Sequence, residues 1–335
     1  MRKIPRFVVI ILIFISCSSS QKFNPVEQTR ILMDTFVQVQ IFDQDKPEEE
    51  LKRIIEATFQ RIEEIDSITN NYNDSSLIAF INRNAGLKSV VLDSILEYII
   101  QTSEKISEES NGLFDITIGS IKQLWNFSSD NHRIPKSDEI EKKLNDVNYQ
   151  LIKLKNHKIK FLSPGIEIDL GAIAKGFAID EAIRVLKKNN ITDAMVNAGG
   201  DLRAICSELT RGKRKVWIRH PRIENRRFGY FQMDNGSVAT SGDYERFFFQ
   251  DSIRYHHILN PGTGYPANEC VSVTVQTEEA IYADGLSTAI FVLGPKMGME
   301  LVKKLTGVEA VILFLRNGEL DWIVSSGLKN SFTKP

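Results

Sequence analysis

The chain has 335 residues, 42% hydrophobic and 25% charged, with a formal net charge of −1. This composition is that of a globular protein with ample material for a core. The near-neutral balance, without a basic cluster, argues against a nucleic-acid partner.

The first residues stand apart from the rest. Arg2, Lys3 and Arg6 precede an apolar run from Phe7 to Ile15, then Ser16 and Cys17. A charged start and a short apolar core read as a signal peptide over residues 1–16, too short to span a membrane as a mature helix. Phe14-Ile15-Ser16-Cys17 is similar to a bacterial lipobox, with Phe14 where Leu is usual. Cys17 is then the lipidated new N-terminus, residues 17–28 a polar tether, and residues 29–335 the body. A plain secretory signal is the other reading. The lipid anchor implies an extracytoplasmic, membrane-attached protein on the periplasmic side. Cys206 and Cys270 remain in the body; two cysteines allow one bridge but make no framework.

In chain order, Ile31–Phe42 reads as a strand, with Val37, Val39 and Ile41 alternating against Gln38 and Gln40. Pro47 opens a long amphipathic helix whose inner face is Leu51, Ile54, Ile55, Phe59, Ile62 and Ile65. A second helix runs from about Asp93, with Ile95, Leu96, Ile99, Ile100 and Ile106 inward. Leu151–Leu162 reads as a hairpin turning near Asn156. Short strands are expected around Ala194, Val216, Val238, His257 and Val273, and helices after Lys175, Asp284 and Pro295. Asn317-Gly318 is a strong hairpin signal. Hairpins mixed with separate helices argue for an α+β fold of largely antiparallel sheets rather than a βαβ alternation.

Five segments carry candidate chemistry. Asp169-Leu-Gly171-Ala172-Ile-Ala-Lys175-Gly176 reads as a loop opening a helix, where amide groups and a lysine make a seat for phosphate. Asp284 and Thr288 are four residues apart and share a helix face. They are hard oxygen donors suited to Mg²⁺ or Ca²⁺, or else an N-cap and a back-bonded hydroxyl. The pair His256-His257 precedes a Gly/Pro-rich corner reaching Pro266. Adjacent strand residues point to opposite faces, so only one can serve a site, and a purely structural histidine is the alternative. Asn197–Asp201 and Thr240–Asp243 are small-residue turns that permit close backbone approach. Walker A, Gly-x-Gly-x-x-Gly, Cys-x-x-Cys, His-Glu-x-x-His and Gly-x-Ser-x-Gly patterns are all missing from the sequence. What remains, an oxygen-ligated cation, a lysine at a helix start and a histidine, suits cleavage of a phosphoanhydride.

Taken in order, these segments resemble the ApbE family of FAD:protein FMN transferases. Met33-Asp34-Thr35 is similar to the family's Met-Gly-Thr opening, with Asp34 in place of Gly. Tyr72, Ser76 and Asn82, then Phe114–Gly119 with Leu124-Trp125, match further stretches, as do Asp169–Gly176, Asn197–Asp201, Ser241-Gly242, His257–Pro266 and Asp284–Thr288. The resemblance implies Mg²⁺ held by the Ala172 carbonyl and the Asp284 and Thr288 side chains. It implies FAD contacts at Met33, Tyr72, Asp115, Asp169, Lys175 and Ile258, with His257 and Asp284 as catalytic residues. The implied reaction moves FMN from FAD to a threonine of an acceptor flavoprotein, such as a subunit of an electron-transfer complex, and releases AMP. An Mg²⁺-dependent FAD pyrophosphatase and a non-catalytic FAD-binding lipoprotein are the competing readings.

Overall fold

Eight strands cross the main sheet in strict chain order: Val26–Leu32, Thr35–Ile41, Ala194–Ala198, Asp201–Ile205, Gly236–Gly242, Ser272–Thr277, Glu309–Arg316 and Glu319–Val324. Each is antiparallel to the next. The computed structural model describes residues 25–43, 45–127, 132–208 and 214–334. The signal-peptide reading, Cys17 and the tether up to residue 24 lie outside the described residues.

Both faces of the central strands are buried, which is why they read as apolar runs. On Glu309–Arg316, Ala310 and Ile312 join the larger core with the helices, while Val311 and Leu313 join a second core on the opposite face. The helical layer comprises Glu48–Thr69, Ala174–Lys188 and Ala280–Lys304, with Ala174–Lys188 packed between the other two. Three glutamates in its first turn favour Glu48–Thr69 electrostatically, and its buried stripe is the expected one. The opposite face is covered by the hairpin Arg214–Arg219/Arg227–Met233, which contributes Val216, Ile218, Phe228 and Phe231. A third cluster around Trp125 ties Gly119–Trp125 to the hairpin Phe247–Gln250/Ile253–His256. The Trp125 indole donates to the Gly264 carbonyl at 2.9 Å, and Tyr255 and Phe248 pack nearby.

This is the expected α+β architecture, with corrections in detail. The single strand read over Ile31–Phe42 is a hairpin. Met33 and Asp34 both have positive φ (51° and 58°), which makes a tight two-residue turn and sends the chain back. The tether read as far as residue 28 is overlapped by the first strand, which starts at Val26. The helix expected after Asp284 begins earlier, at Ala280, so Asp284 is not its N-cap. That duty falls to Asp180 of the neighbouring helix, which accepts the Ala280 and Ile281 amides at 2.8 and 2.9 Å. The helix expected after Pro295 continues this one across a kink at Gly294, φ 80°. Cys206 and Cys270 form no disulfide with each other.

Candidate active site

A cleft of about 570 Å³ opens where the sheet, the helix starts and the Trp125 cluster meet, within the usual range for small-molecule sites. Met33, Tyr72, Asp115, Asp169, Ala172, Lys175, His257, Ile258, Asp284 and Thr288 all line it. The hairpin turn brings in Met33. Tyr72, largely exposed, stands at the mouth after the Glu48–Thr69 helix. Asn82 clamps the approach to Asp169: its side chain donates to the Ile168 carbonyl and accepts the Ile168 amide, both at 2.9 Å. Ser76 caps the Leu77–Arg83 helix. These two motif residues therefore build the scaffold.

At the floor, Ala174–Lys188 begins beside Ala280–Lys304. In an uninterrupted helix the Gly176 amide would return to the Ala172 carbonyl. Here it donates instead to Asp284 Oδ2 at 2.8 Å. A side chain at 176 could not fit, because its Cβ would stand 2.3 Å from the Ala280 carbonyl oxygen. Lys175 Nζ donates to Asp201 Oδ2, while Asp201 Oδ1 accepts the Thr240 amide at 2.9 Å. Burial alone would lower the Lys175 pKa, but Asp201 and Asp284 reverse this and hold it above the ordinary lysine value. Burial pushes Asp284 up to about 7, Lys175 and the Gly176 amide opposing this, and Asp201 and Asp180 adding to it. Thr288 shares the Asp284 face as expected, and its hydroxyl lies 3.1 Å from that of Ser241.

The two histidines separate as the strand geometry requires. His256 is buried, its Nε2 2.8 Å from the Ala267 carbonyl, and plays a structural part. His257 faces the cleft with Nδ1 3.3 Å from the Arg246 carbonyl. Desolvation, then the charge of Lys122, lowers its pKa to about 3, so the imidazole is neutral. Asp115 lines the cleft, but Oδ1 accepts the Thr117 amide and hydroxyl and Oδ2 the Tyr149 amide, so its oxygens fix the loop.

Lys122 escaped the sequence reading. It lies 2.9 and 2.8 Å from the two Asp169 oxygens. Burial would raise the Asp169 pKa, but Lys122 and the Gly171 amide hold it below the usual range. Arg246 and Arg219 also line the cleft and also went unread. Nothing in the local sequence marks these cations; only the Trp125 cluster and the neighbouring hairpins bring them here.

The lining carries four cations (Lys122, Lys175, Arg219, Arg246) against seven carboxylates (Asp34, Asp66, Asp115, Asp169, Asp201, Glu245, Asp284). A phosphate-bearing ligand would meet net repulsion without a further cation. Among the described residues there is no group of three or more His, Cys, Asp or Glu placed to hold a metal. A cation here would draw on at most two such groups and complete its shell with neutral oxygens, a donor mix that suits Mg²⁺ better than zinc. Asp284, the Thr288 hydroxyl and the Ala172 carbonyl, which the Gly176 amide has forsaken, fit that description.

The fold and cleft together define an α+β enzyme with hard oxygen donors and a lysine gathered at a helix start. The chain belongs to the ApbE family, whose sequence profile matches residues 33–312. It is 29% identical over 316 residues to an FAD:protein FMN transferase of Treponema pallidum, covering 89% of this chain and 87% of that protein. The crystal structure of the ApbE protein from Thermotoga maritima superposes with a TM-score of 0.82 at 32% identity, covering 91% of this chain and 98% of that one. The flavin transferase ApbE from Vibrio cholerae shares the fold, with a TM-score of 0.82 at 22% identity over 92% of this chain and 99% of that one.

Proposed function

We propose that this protein is an Mg²⁺-dependent FAD:protein FMN transferase that attaches FMN to a threonine of an acceptor flavoprotein and releases AMP. The observation that carries the reading is the meeting of Lys175, Asp284 and His257 in one cleft, beside a helix start. Its relatives' names supply the flavin and the protein acceptor.

In this reading the threonine oxygen bonds to the FMN-side phosphorus of FAD, and the anhydride bond to the AMP phosphate breaks. AMP carries away the bonding electron pair. Mg²⁺ would be held by Asp284, Thr288 and the Ala172 carbonyl, and it supplies charge neutralisation at the diphosphate. Lys175 holds the diphosphate from the helix start. His257 is neutral and half-buried at the wall. An Nδ1–H directed at the Arg246 carbonyl leaves Nε2 able to accept the threonine proton. An anionic diphosphate beside it would raise its pKa from the depressed value and strengthen it as an acceptor. Met33, Tyr72, Asp169 and Ile258 frame the flavin nucleotide, and Tyr72 offers a flat ring surface. Asp115 acts by fixing the adjacent loop.

Residues 1–16 as signal peptide, Cys17 as lipid anchor and the extracytoplasmic placement belong to the same proposal. They rest on the sequence pattern, while no helix of the described residues is long and apolar enough to cross a membrane. The test is mass spectrometry of an acceptor domain incubated with the protein, FAD and Mg²⁺. The expected result is an FMN-sized gain on one threonine, lost in Asp284→Ala. FMN and AMP in solution without an adduct would make the protein an FAD pyrophosphatase, and no turnover would make it a flavin binder.

A further inference from the structure

Beside the catalytic cleft lies a second, open cavity of about 750 Å³, bordered by Trp217, His220, Arg226, Arg227, Phe228 and Lys334. Trp217 borders both cavities, so the two surfaces are continuous. Carboxylates are missing from its lining. Two of its cations lie over aromatic rings: Arg227 Cζ is 4.2 Å from the Trp217 centroid and Lys334 Nζ is 3.9 Å from that of Trp322. Toward the cleft, Arg219 continues the pattern, 5.1 Å over Tyr244. Arg226 and Arg227 are exposed at the turn of the covering hairpin.

We propose that this arginine- and tryptophan-bearing ridge is where the acceptor protein docks, through an acidic face beside its target threonine. The inference rests on the transferase reading, which requires a macromolecule to reach the cleft mouth. Three features select a protein as occupant. The ridge is continuous with the cleft, so a partner seated on it lies next to the reacting centre. Exposed Trp and Arg side chains, already ordered by stacking, are the types that anchor protein interfaces. A positive cavity lining without carboxylates steers an acidic partner, raising the encounter rate more than the intrinsic chemistry.

The test uses the full chain with a threonine-bearing acceptor domain, comparing wild type with Arg226→Glu/Lys334→Glu and with the milder Arg226→Gln/Lys334→Gln. Neither residue lines the catalytic cleft. The expected result is an acceptor KM raised about tenfold or more in the Glu pair and less in the Gln pair. The FAD Kd and kcat at saturating acceptor should stay unchanged, and the wild-type KM should rise with salt. An unchanged acceptor KM, with wild type active, overturns the docking surface alone. Lost binding to phosphatidylglycerol vesicles with an unchanged KM reassigns the ridge to a membrane surface. Failure of wild type to modify any acceptor overturns the transferase reading and this inference with it.

Discussion

Asp284 Oδ2 accepts the Gly176 amide at 2.8 Å, so that two residues 108 apart in sequence join the first turns of two helices. The contact demands glycine, since a Cβ at 176 would meet the Ala280 carbonyl at 2.3 Å and Asp284 Cβ at 2.8 Å. Both are held by helix backbone and cannot swing aside. Gly176→Ala should therefore destabilise the protein by about 1–3 kcal/mol, read as a lower urea midpoint. An unchanged midpoint would show that the helices separate freely.

The burial of Asp284, with Asp201 and Asp180 beside it, has a different signature. Its folded pKa of about 7 lies above its ordinary 3.8, so metal-free protein loses stability as pH rises between those values. Asp284→Asn removes the charge while keeping an oxygen for the Gly176 amide. Without Mg²⁺ at pH 8, this variant should melt no lower than wild type. With saturating Mg²⁺ the wild type alone should gain stability, by about 2.7 kcal/mol at a hundredfold excess over Kd. Transfer activity in the variant should fall by about a hundredfold or more. A variant that still responds to Mg²⁺ would move the metal elsewhere.

His256 and His257 predict the acid side of the stability curve. Desolvation lowers both folded pKa values below the ordinary 6.5. The unfolded chain then binds protons more readily, so their contribution is full above pH 6.5 and lost progressively as pH falls toward the folded values. The denaturation midpoint should drop between pH 7 and 5. His256→Gln should flatten that drop; an unaltered slope would show that His256 contributes nothing to it.

Asp34 occupies the second position of a turn that requires positive φ. An L side chain pays for that conformation, and aspartate pays less than most. The Asp34–Arg246 contact, 4.0 Å between exposed groups, returns little. Asp34→Gly should stabilise the protein by about 0.5–1 kcal/mol, measured by urea unfolding. A loss of stability would mean that the ion pair outweighs the backbone.

That turn also marks the limit of sequence reading here. Asn317-Gly318 announced its hairpin because both residues tolerate positive φ, and both adopt it. Met33-Asp34 and Asp251-Ser252 form similar turns without the sequence signal, so two hairpins went unread. The long helices were legible because their buried stripes follow the helical period. Site residues embedded in recognisable segments, such as Lys175, Asp284 and His257, were legible too. Lys122 and Arg246 were not, because each reaches the cleft only through tertiary packing. Asp115 stood within a legible segment, but only the three donors around it reveal that its oxygens serve the fold.

The main sheet adds its strands in chain order, yet the cleft gathers residues from Met33 to Thr288. A chain still being synthesised can lay down strand after strand and remain without a finished site until the Ala280–Lys304 helix emerges. A fragment ending before Asp284 lacks the carboxylate that the Gly176 amide holds. The site is therefore complete only once the Ala280–Lys304 helix packs against Ala174–Lys188.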